Sequence, residues 1–320
     1  MIKRWSWVAA ALLMSLSALV QAQDWPTKPI QVIVPFPPGS VDAKARIVTD
    51  QVSKILGQPL VILNKPGAGM RIGTEQLLRS PPDGYTLEVV VQAVAWMGPM
   101  IDPAVTYQPL TDMTMLALAY ENPMVLVVSQ ESGIKSVDEL LRAARAQPGK
   151  LNWAGPAGAS GYRVWFEVFK GMTGLDVTYV AYRGLTPALT DVAGGFGQVA
   201  FADYSSLPLI LDGKLRPLAV TGPMRSAQLP NVPTLKEAGI GFEAMQWLGF
   251  AAPAGLPPAV ASRLSEAFAK ALQNPATRAA IESDGAQVIL DSSPSAMRAR
   301  ITSEMAQFRQ NVKPGAIKID

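Results

Sequence analysis

The stretch VPFPPGSVD at residues 34–42 constrains the fold more than any other part of the chain. It follows the β-branched run 30–34, which predicts a buried strand, and precedes apolar residues at helical spacing over 47–56. The prolines stiffen the loop, Gly39 permits a close backbone approach, and Ser40 can cap the helix. Such a junction directs unpaired N–H groups and the positive end of a helix dipole outward, which favours an anion site made of backbone. An ordinary βα turn is the alternative interpretation.

Two further loops of small residues stand at predicted strand-to-helix junctions. NKPGAGMRIGT at 64–74 follows a predicted strand at 60–63, and GPAGASG at 155–161 follows a predicted strand at 151–154. The glycines of the earlier loop superficially resemble a dinucleotide fingerprint, but their spacing is wrong and no acidic residue follows at the required place. The loop at 64–74 is instead interpreted as a second backbone cradle beside the first one, and the loop at 155–161 as a third small-residue loop that opens a helix.

Strands and helices alternate along the chain. Among them are a predicted strand at 85–94 followed by a loop, and a helix whose start is marked by the capping box of Ser136 and Glu139. The alternation predicts an α/β fold with mixed, mostly parallel sheets flanked by helices. Ligands of open α/β sheets bind beyond the carboxyl ends of strands. Glycine loops early and in the centre of the chain therefore predict two domains facing one ligand cleft. We expect residues 23–122 and 246–320 to form domain 1, and residues 123–245 to form domain 2.

The chain has no cysteine and no histidine. This composition excludes disulfides, thiol catalysis, the usual serine-protease relay and the usual zinc ligands. We expect no catalytic residue, no cofactor and no metal. A hydrophobic content of 49% and a charged content of 17% are typical of a well-buried globular protein.

The first 22 residues have the pattern of a secretory signal. Lys3 and Arg4 precede an apolar segment at 8–20, and small residues at 20–22 predict cleavage after Ala22. The alternative is a membrane anchor, but about 13 apolar residues are too few where roughly 20 are needed to span a bilayer. Removal of Lys3 and Arg4 lowers the formal net charge from +3 to +1, so we expect no nucleic-acid partner.

Several segments occur in an order seen in one protein family. They are KPIQVIVPFPPGSVDAKAR, LGQPLVILNKPGAGMRIGTE, PPDGYTL, KSVDELL, PGKLNWAG, PALTDVAGGFGQVAF and LRPLAVTGPMRSAQLPNVPTLKEAG. Through these segments the chain resembles the solute-binding proteins of tripartite tricarboxylate transporters, called Bug receptors. The resemblance covers essentially the whole mature chain. The resemblance implies a periplasmic, two-domain receptor of Venus-flytrap form. Such a receptor captures a small carboxylate and delivers it to a membrane transporter, and we expect it to be a monomer.

The resemblance also implies which residues bind the ligand. The family holds a carboxylate mostly through main-chain groups and waters of the first two loops and through one loop and one aspartate of the second domain. Carried over to this sequence, these positions are Phe36, Pro38, Gly39, Ser40, Asp42, Ala68, Gly69, Met70, Gly155, Ala159, Ser160, Gly161 and Asp203.

This sequence departs from the family pattern at positions that bear on the ligand. Ser40 and Met70 replace glycines, Arg163 stands where the family often has histidine, and Trp96 lies in a stretch that is usually small and hydroxyl-rich. Trp96 and Met70 near the cleft mouth would favour a ring or an alkyl spacer, and Arg163 could clamp a second carboxylate. These departures favour a dicarboxylate with an apolar middle, aromatic or aliphatic, of the terephthalate or adipate class.

Each of these positions also has a purely structural alternative. Trp96 and Met70 could simply pack, Arg163 could form a surface ion pair, and Asp42 or Asp203 could cap helices. Arg183 is interpreted as a surface or hinge residue.

Two other functions remain open. One is a ligand-presenting sensor for a signalling partner, and the other is a carboxylate-acting enzyme using the same cleft. For a receptor with a backbone cradle, we expect Gly39→Val or Gly69→Val to abolish binding while the fold stays intact.

Overall fold

The computed structural model describes residues 25–157, 160–283 and 285–317. The predicted signal segment at 1–22 and Ala159 lie outside the described residues. In this part of the chain, helices pack against two β-sheets, which is an α/β arrangement. No helix within it is both long enough and apolar enough to cross a membrane.

The strands follow the β-branched and apolar runs of the sequence closely. Over the described ranges they are β1 Ile30–Val34, β2 Leu60–Asn64, β3 Thr86–Val91, β4 Met113–Pro123, β5 Val125–Ser129, β6 Asn152–Pro156, β7 Thr178–Tyr182, β8 Val199–Ala202, β9 Leu215–Val220, β10 Met245–Pro253 and β11 Gln287–Val288.

The longer helices, except the one that begins at Arg71, begin at or directly after glycine, serine or proline. They are α1 Ser40–Leu56, α2 Arg71–Leu78, α3 Val137–Ala146, α4 Gly161–Thr173, α5 Leu185–Ala193, α6 Pro258–Gln273, α7 Pro275–Glu282 and α8 Pro294–Asn311.

One sheet has the strand order β11-β4-β10-β3-β1-β2, and the other has the order β7-β6-β8-β5-β9. The expectation of mostly parallel pairing is wrong, because only four of the nine strand pairings between described residues are parallel. The antiparallel pairings are β10 with β3 and β4, β11 with β4, and β5 with β8 and β9. The chain passes from the first sheet to the second after β4 and returns before β10, so we call β4 and β10, which run side by side in the first sheet, the crossing strands. The sheets are therefore mixed.

The hydrophobic core is continuous from one sheet to the other. Trp96, which follows β3, packs edge-on against Trp165 of α4 and Phe308 of α8, with ring centroids 5.9 and 5.7 Å apart. At Gly171 of α4, a Cβ atom would overlap the carbonyl oxygen of Asn311 at the end of α8. The C-terminal helix therefore contacts the second sheet's helix as well as the first sheet, and the domain boundaries proposed from the sequence stay a prediction.

Local signals locate most helix starts correctly. Ser136 Oγ accepts the N–H of Glu139 at 3.1 Å and caps α3, as the sequence predicts. One segment differs from the prediction. The predicted strand at 85–94 ends at Val91, and a π-helical turn, Ala93–Met97, replaces the expected loop.

Candidate ligand-binding site

A cleft of about 750 Å³ lies between the two sheets, beside the strands that cross between them. Six of the residues predicted from the sequence line it, three from each wall. From the first sheet these are Phe36, Ser40 and Met70, and from the second sheet they are Ser160, Gly161 and Asp203.

Five strand-to-helix junctions meet at this cleft. They place Ser40, Met70, Gln92, Gly161 and Leu185 on its walls, each at or next to the first residue of a helical segment. The positive ends of the helix dipoles therefore converge on one space, which favours a bound anion.

Four of these five helical segments lack a side-chain cap. Their N-cap residues are Gly39, Met70, Gln92 and Gly184, and none of these accepts a hydrogen bond from the first turn through its side chain. Of the four longer helices of the described chain that begin away from the cleft, α3, α7 and α8 are capped by Ser136, Asn274 and Ser293, and only α6, which follows Pro257, has no side-chain cap. The first N–H groups of a helix have no intrahelical partner, so the cleft retains donors for a ligand.

Hydrogen bonds among Asn64, Asp42 and Arg46 hold the first loop in place. Asn64 Nδ2 donates to the Phe36 carbonyl at 3.0 Å and to Asp42 Oδ1 at 2.9 Å. Arg46 donates to both carboxylate oxygens of Asp42, at 2.9 and 3.1 Å. The hydrogen bond from Arg46 lowers the pKa of Asp42, against an opposing effect of burial. Asp42 is turned toward these partners and shapes the loop instead of lining the cleft.

We expect Asn64→Ala to weaken ligand binding in a receptor that still folds. The change removes two hydrogen bonds that hold the first loop, each with a net value of about 0.5–1.5 kcal/mol, so the dissociation constant should rise by at most about 5- to 150-fold. Isothermal titration calorimetry measures this change. Asn311→Ala is the matched control, because the Asn311 amide donates only within α8, to Gln307. An unchanged affinity in Asn64→Ala would show that the two Asn64 hydrogen bonds do not position the loop for ligand binding.

Two other predicted residues of the first loop do not line the cleft. Gly39 adopts φ 172°, an extended conformation open to any residue, and the nearest atom to an added Cβ is the Pro37 carbonyl oxygen at 3.9 Å. The conformational reason for glycine at this position is therefore absent. Pro38 is exposed at the surface of the same loop.

The second loop has an unusual backbone. Four consecutive residues, Gly67, Ala68, Gly69 and Met70, have positive φ, at 125°, 47°, 61° and 76°. Non-glycine residues rarely adopt such angles, and those that do cluster at functional sites. Met70 lines the cleft, whereas Ala68 and Gly69 determine how the chain reaches it.

A buried carboxyl lies beneath this loop. Thr74 Oγ1 is 2.8 Å from Glu88 Oε1 and 3.3 Å from the Met70 carbonyl oxygen, which links the loop to the sheet. Glu88 is fully buried, and burial raises its pKa to about 8.

The junction between β3 and the π-helical turn contributes a residue, Gln92, that the sequence did not predict. Gln92 Oε1 accepts the N–H of Trp247 at 3.2 Å, and Gln92 Nε2 donates to the Met245 carbonyl. This side chain continues the pairing of β3 with β10 beyond the last strand residue. No pattern within the sequence reveals a partnership across 153 positions. Tyr120, Asn122 and Gln246, also missed, line the cleft from the crossing strands.

Trp96 does not line the cleft, contrary to the sequence interpretation. Its side chain is fully buried, and its indole Nε1 donates to Glu304 Oε2 at 2.7 Å. The π-helical turn directs the ring into the core, where it contacts Trp165 and Phe308. Trp96 is therefore a core residue, in line with the alternative of plain packing, and lies outside the cleft lining.

Arg163 and Gly155 also lie outside the cleft lining. Arg163 forms an ion pair with Glu167 at 2.7 Å and lies 3.9 Å from the ring centre of Tyr179. Gly155 gives room to the same Tyr179, because an added Cβ would overlap its hydroxyl. The residues of this wall that do reach the cleft are Ser160, Gly161 and the previously unrecognised Tyr162.

Asp203 lies in the cleft with its oxygens already hydrogen-bonded. Ser205 and Ser206 donate to Oδ1, and the Tyr162 hydroxyl donates to Oδ2 at 3.3 Å. The carboxylate does not depend on a ligand cation for its partners.

Comparison with known proteins identifies the family. The model described as "Tripartite tricarboxylate transporter family receptor" matches residues 44–312. The chain belongs to this receptor family. The receptor is 33% identical over 311 residues to Protein BugT of Bordetella pertussis, a match that covers 95% of this chain and 94% of that protein.

Solved structures agree with this assignment. "R. palustris Rpa4515 with adipate" is 30% identical with a TM-score of 0.75, and the match covers 89% of the receptor and 96% of that chain. "MatC (Rpa3494) from Rhodopseudomonas palustris with bound malate" is 27% identical with a TM-score of 0.75, covering 90% and 100%. The family resemblance and the Venus-flytrap α/β fold expected from the sequence are confirmed. The receptor is a solute-binding protein of the periplasmic type.

Proposed function

We propose that this receptor captures a small dicarboxylate with an apolar middle, aromatic or aliphatic, of the terephthalate or adipate class. We further propose that it is exported, loses residues 1–22 by cleavage after Ala22, acts as a monomer and catalyses no reaction. It would deliver the ligand to membrane subunits of a tripartite tricarboxylate-type transporter. Adipate, named with Rpa4515, supports this ligand class, whereas malate, named with MatC, supports only the coarser class of dicarboxylates.

The meeting of helix N-termini without side-chain caps is the observation that supports a carboxylate most strongly. Each helix dipole stabilises an anion by about 0.3–1 kcal/mol, and by up to ~2 kcal/mol when partly buried. Each hydrogen bond to a charged acceptor adds about 1.5–3 kcal/mol. A few such contacts, after the cost of association, amount to about −8 kcal/mol, which is micromolar affinity.

Apolar side chains in the cleft lining support an apolar middle. Val41, Met70 and Leu248 contribute to the first wall, and Leu185 contributes to the second. Methylene or aromatic carbons of a ligand gain by contact with these side chains, while the amides of Asn122 and Gln246 in the same cleft face its polar ends.

A thermal-shift screen of the mature receptor tests the proposal. With ligand at 100 times its dissociation constant, stability should rise by about 2.7 kcal/mol. For a chain of this size the midpoint should then rise by roughly 5–10 °C, since each kcal/mol shifts it by about 2–4 °C. The panel contains mono-, di- and tricarboxylates, including aromatic diacids, and each diacid is matched by its uncharged diamide.

Diacids should shift the midpoint and their diamides should not. A purified receptor that responds to no organic acid would contradict carboxylate capture. Conversion of a bound acid to product, followed by NMR, would contradict the non-enzymatic role.

A further inference from the structure

The described part of the cleft lining contains two formally charged side chains, Arg183 and Asp203. Both belong to the second wall, where they follow β7 and β8 on either side of β6. Asp203 is held by three hydroxyl donors. The guanidinium of Arg183, by contrast, is exposed and forms no hydrogen bond or ion pair with any described residue.

The backbone beneath Arg183 is fixed on both sides. The Tyr182 carbonyl accepts the N–H of Ala157 at 2.8 Å, and the Tyr182 hydroxyl donates to Asp191 of α5 at 2.8 Å. Gly184 is then the N-cap of α5. A guanidinium without a partner among the described residues can donate two parallel hydrogen bonds to a planar, doubly accepting group such as a carboxylate.

The other arginine suggested by the sequence is already engaged. Arg163 is paired with Glu167 at 2.7 Å, donates to the Ala316 carbonyl at 3.3 Å and stacks on Tyr179. Moving it toward the cleft would break all three contacts and leave Glu167 buried without its cation.

We propose that Arg183 binds the second carboxylate of a diacid whose first carboxylate is bound at the helix N-termini of the opposite wall. The inference rests on the proposed function and identifies Arg183 as the residue that makes the affinity for diacids higher than the affinity for monoacids. Because the two recognition elements lie on opposite walls, a diacid spans the cleft and contacts both. A monoacid contacts only the helix N-termini.

The test compares matched pairs of acids by isothermal titration calorimetry. The diacids are succinate, glutarate, adipate and terephthalate, and the monoacids are butyrate, pentanoate, hexanoate and benzoate. The wild-type receptor should bind at least one diacid 10- to 100-fold more tightly than its monoacid. Arg183→Gln should remove most of that ratio by weakening the diacid and leaving the monoacid unchanged. Arg183→Lys should keep the charge but lose the two-pronged contact, and so retain part of the ratio.

Arg163→Gln is the matched control, and we expect it to lower stability while leaving the diacid-to-monoacid ratio unchanged. Three results overturn the inference alone: a wild-type ratio near one, a normal ratio in Arg183→Gln, or equal weakening of both acids in that variant. A receptor that binds no acid in either series instead overturns the proposed function, so the two failures are distinguishable.

Discussion

Gly69→Val should abolish ligand binding in a receptor that still folds. Gly69 has φ 61° and ψ 38°, and its neighbours Ala68 and Met70 also have positive φ. A left-handed conformation costs an L-residue about 1–2 kcal/mol, and a β-branched residue is a rare outlier there. We therefore expect the loop to change conformation and to move Met70 away from the cleft. Loss of two hydrogen bonds to a charged ligand, about 1.5–3 kcal/mol each, predicts a dissociation constant at least about 100-fold higher.

Gly133→Val provides the matched control for this change. Gly133 has φ 69°, and, as at Gly69, an added Cβ would meet no atom within 4 Å. It ends the helical turn after β5 and does not line the cleft. Both variants carry the same kind of backbone strain and should lose similar stability in urea titrations. Only Gly69→Val should lose affinity, and an affinity within twofold of the wild type would refute the role of the left-handed loop.

The sequence predictions succeed where local signals determine structure. Proline, glycine and β-branched runs locate β1 at its observed bounds, and the Ser136 cap begins α3 as predicted. The three glycine or serine loops are local features too, and all three contribute residues to the cleft. Their role follows from chain direction, because each loop must lie where a strand ends and a helix begins.

The errors occur where a side chain's direction depends on distant partners. The extra residue of a π-helical turn rotates Trp96 into the core, and hydrophobic periodicity does not reveal such a turn. Gln92 is positioned by strand β10, more than 150 residues later. Arg163 is a different case. Glu167 stands four residues later, a spacing typical of helical ion pairs. The sequence itself therefore predicts the ion pair that holds Arg163 away from the cleft.

The buried carboxyl of Glu304 should be the most important polar group for stability. On α8 it accepts the indole N–H of Trp96 at 2.7 Å and that of Trp247 at 3.0 Å. Its neighbour Arg300 pairs with Glu121 at 2.8 Å, so α8 contacts both strands that cross between the sheets. Burial raises the pKa of Glu304 to about 7, although the two indoles and Arg300 oppose the rise.

This arrangement predicts how stability changes with pH. The folded chain keeps a proton on Glu304 up to about pH 7, whereas the unfolded chain releases it near its ordinary value of 4.5. Between these values the native state binds more protons, so the free energy of unfolding should fall as pH rises. Glu88, with a pKa of about 8, should extend the decline to higher pH. Glu304→Gln should reduce the slope between about pH 4.5 and 7, whereas Glu88→Gln should reduce it from about pH 4.5 to 8.

Glu304→Ala should lower the free energy of unfolding by roughly 3–6 kcal/mol. Two buried indole N–H groups lose their acceptor, at about 1–3 kcal/mol each, and the missing side chain leaves a cavity. Glu304→Gln keeps one acceptor oxygen and should lose clearly less. Glu266→Ala, an exposed glutamate on α6, is the control and should stay within about 0.5 kcal/mol of the wild type. Urea unfolding followed by tryptophan fluorescence measures all three. If Glu304→Ala were as stable as the control, the indoles would have other partners, and the contact between α8 and the crossing strands would not depend on this carboxyl.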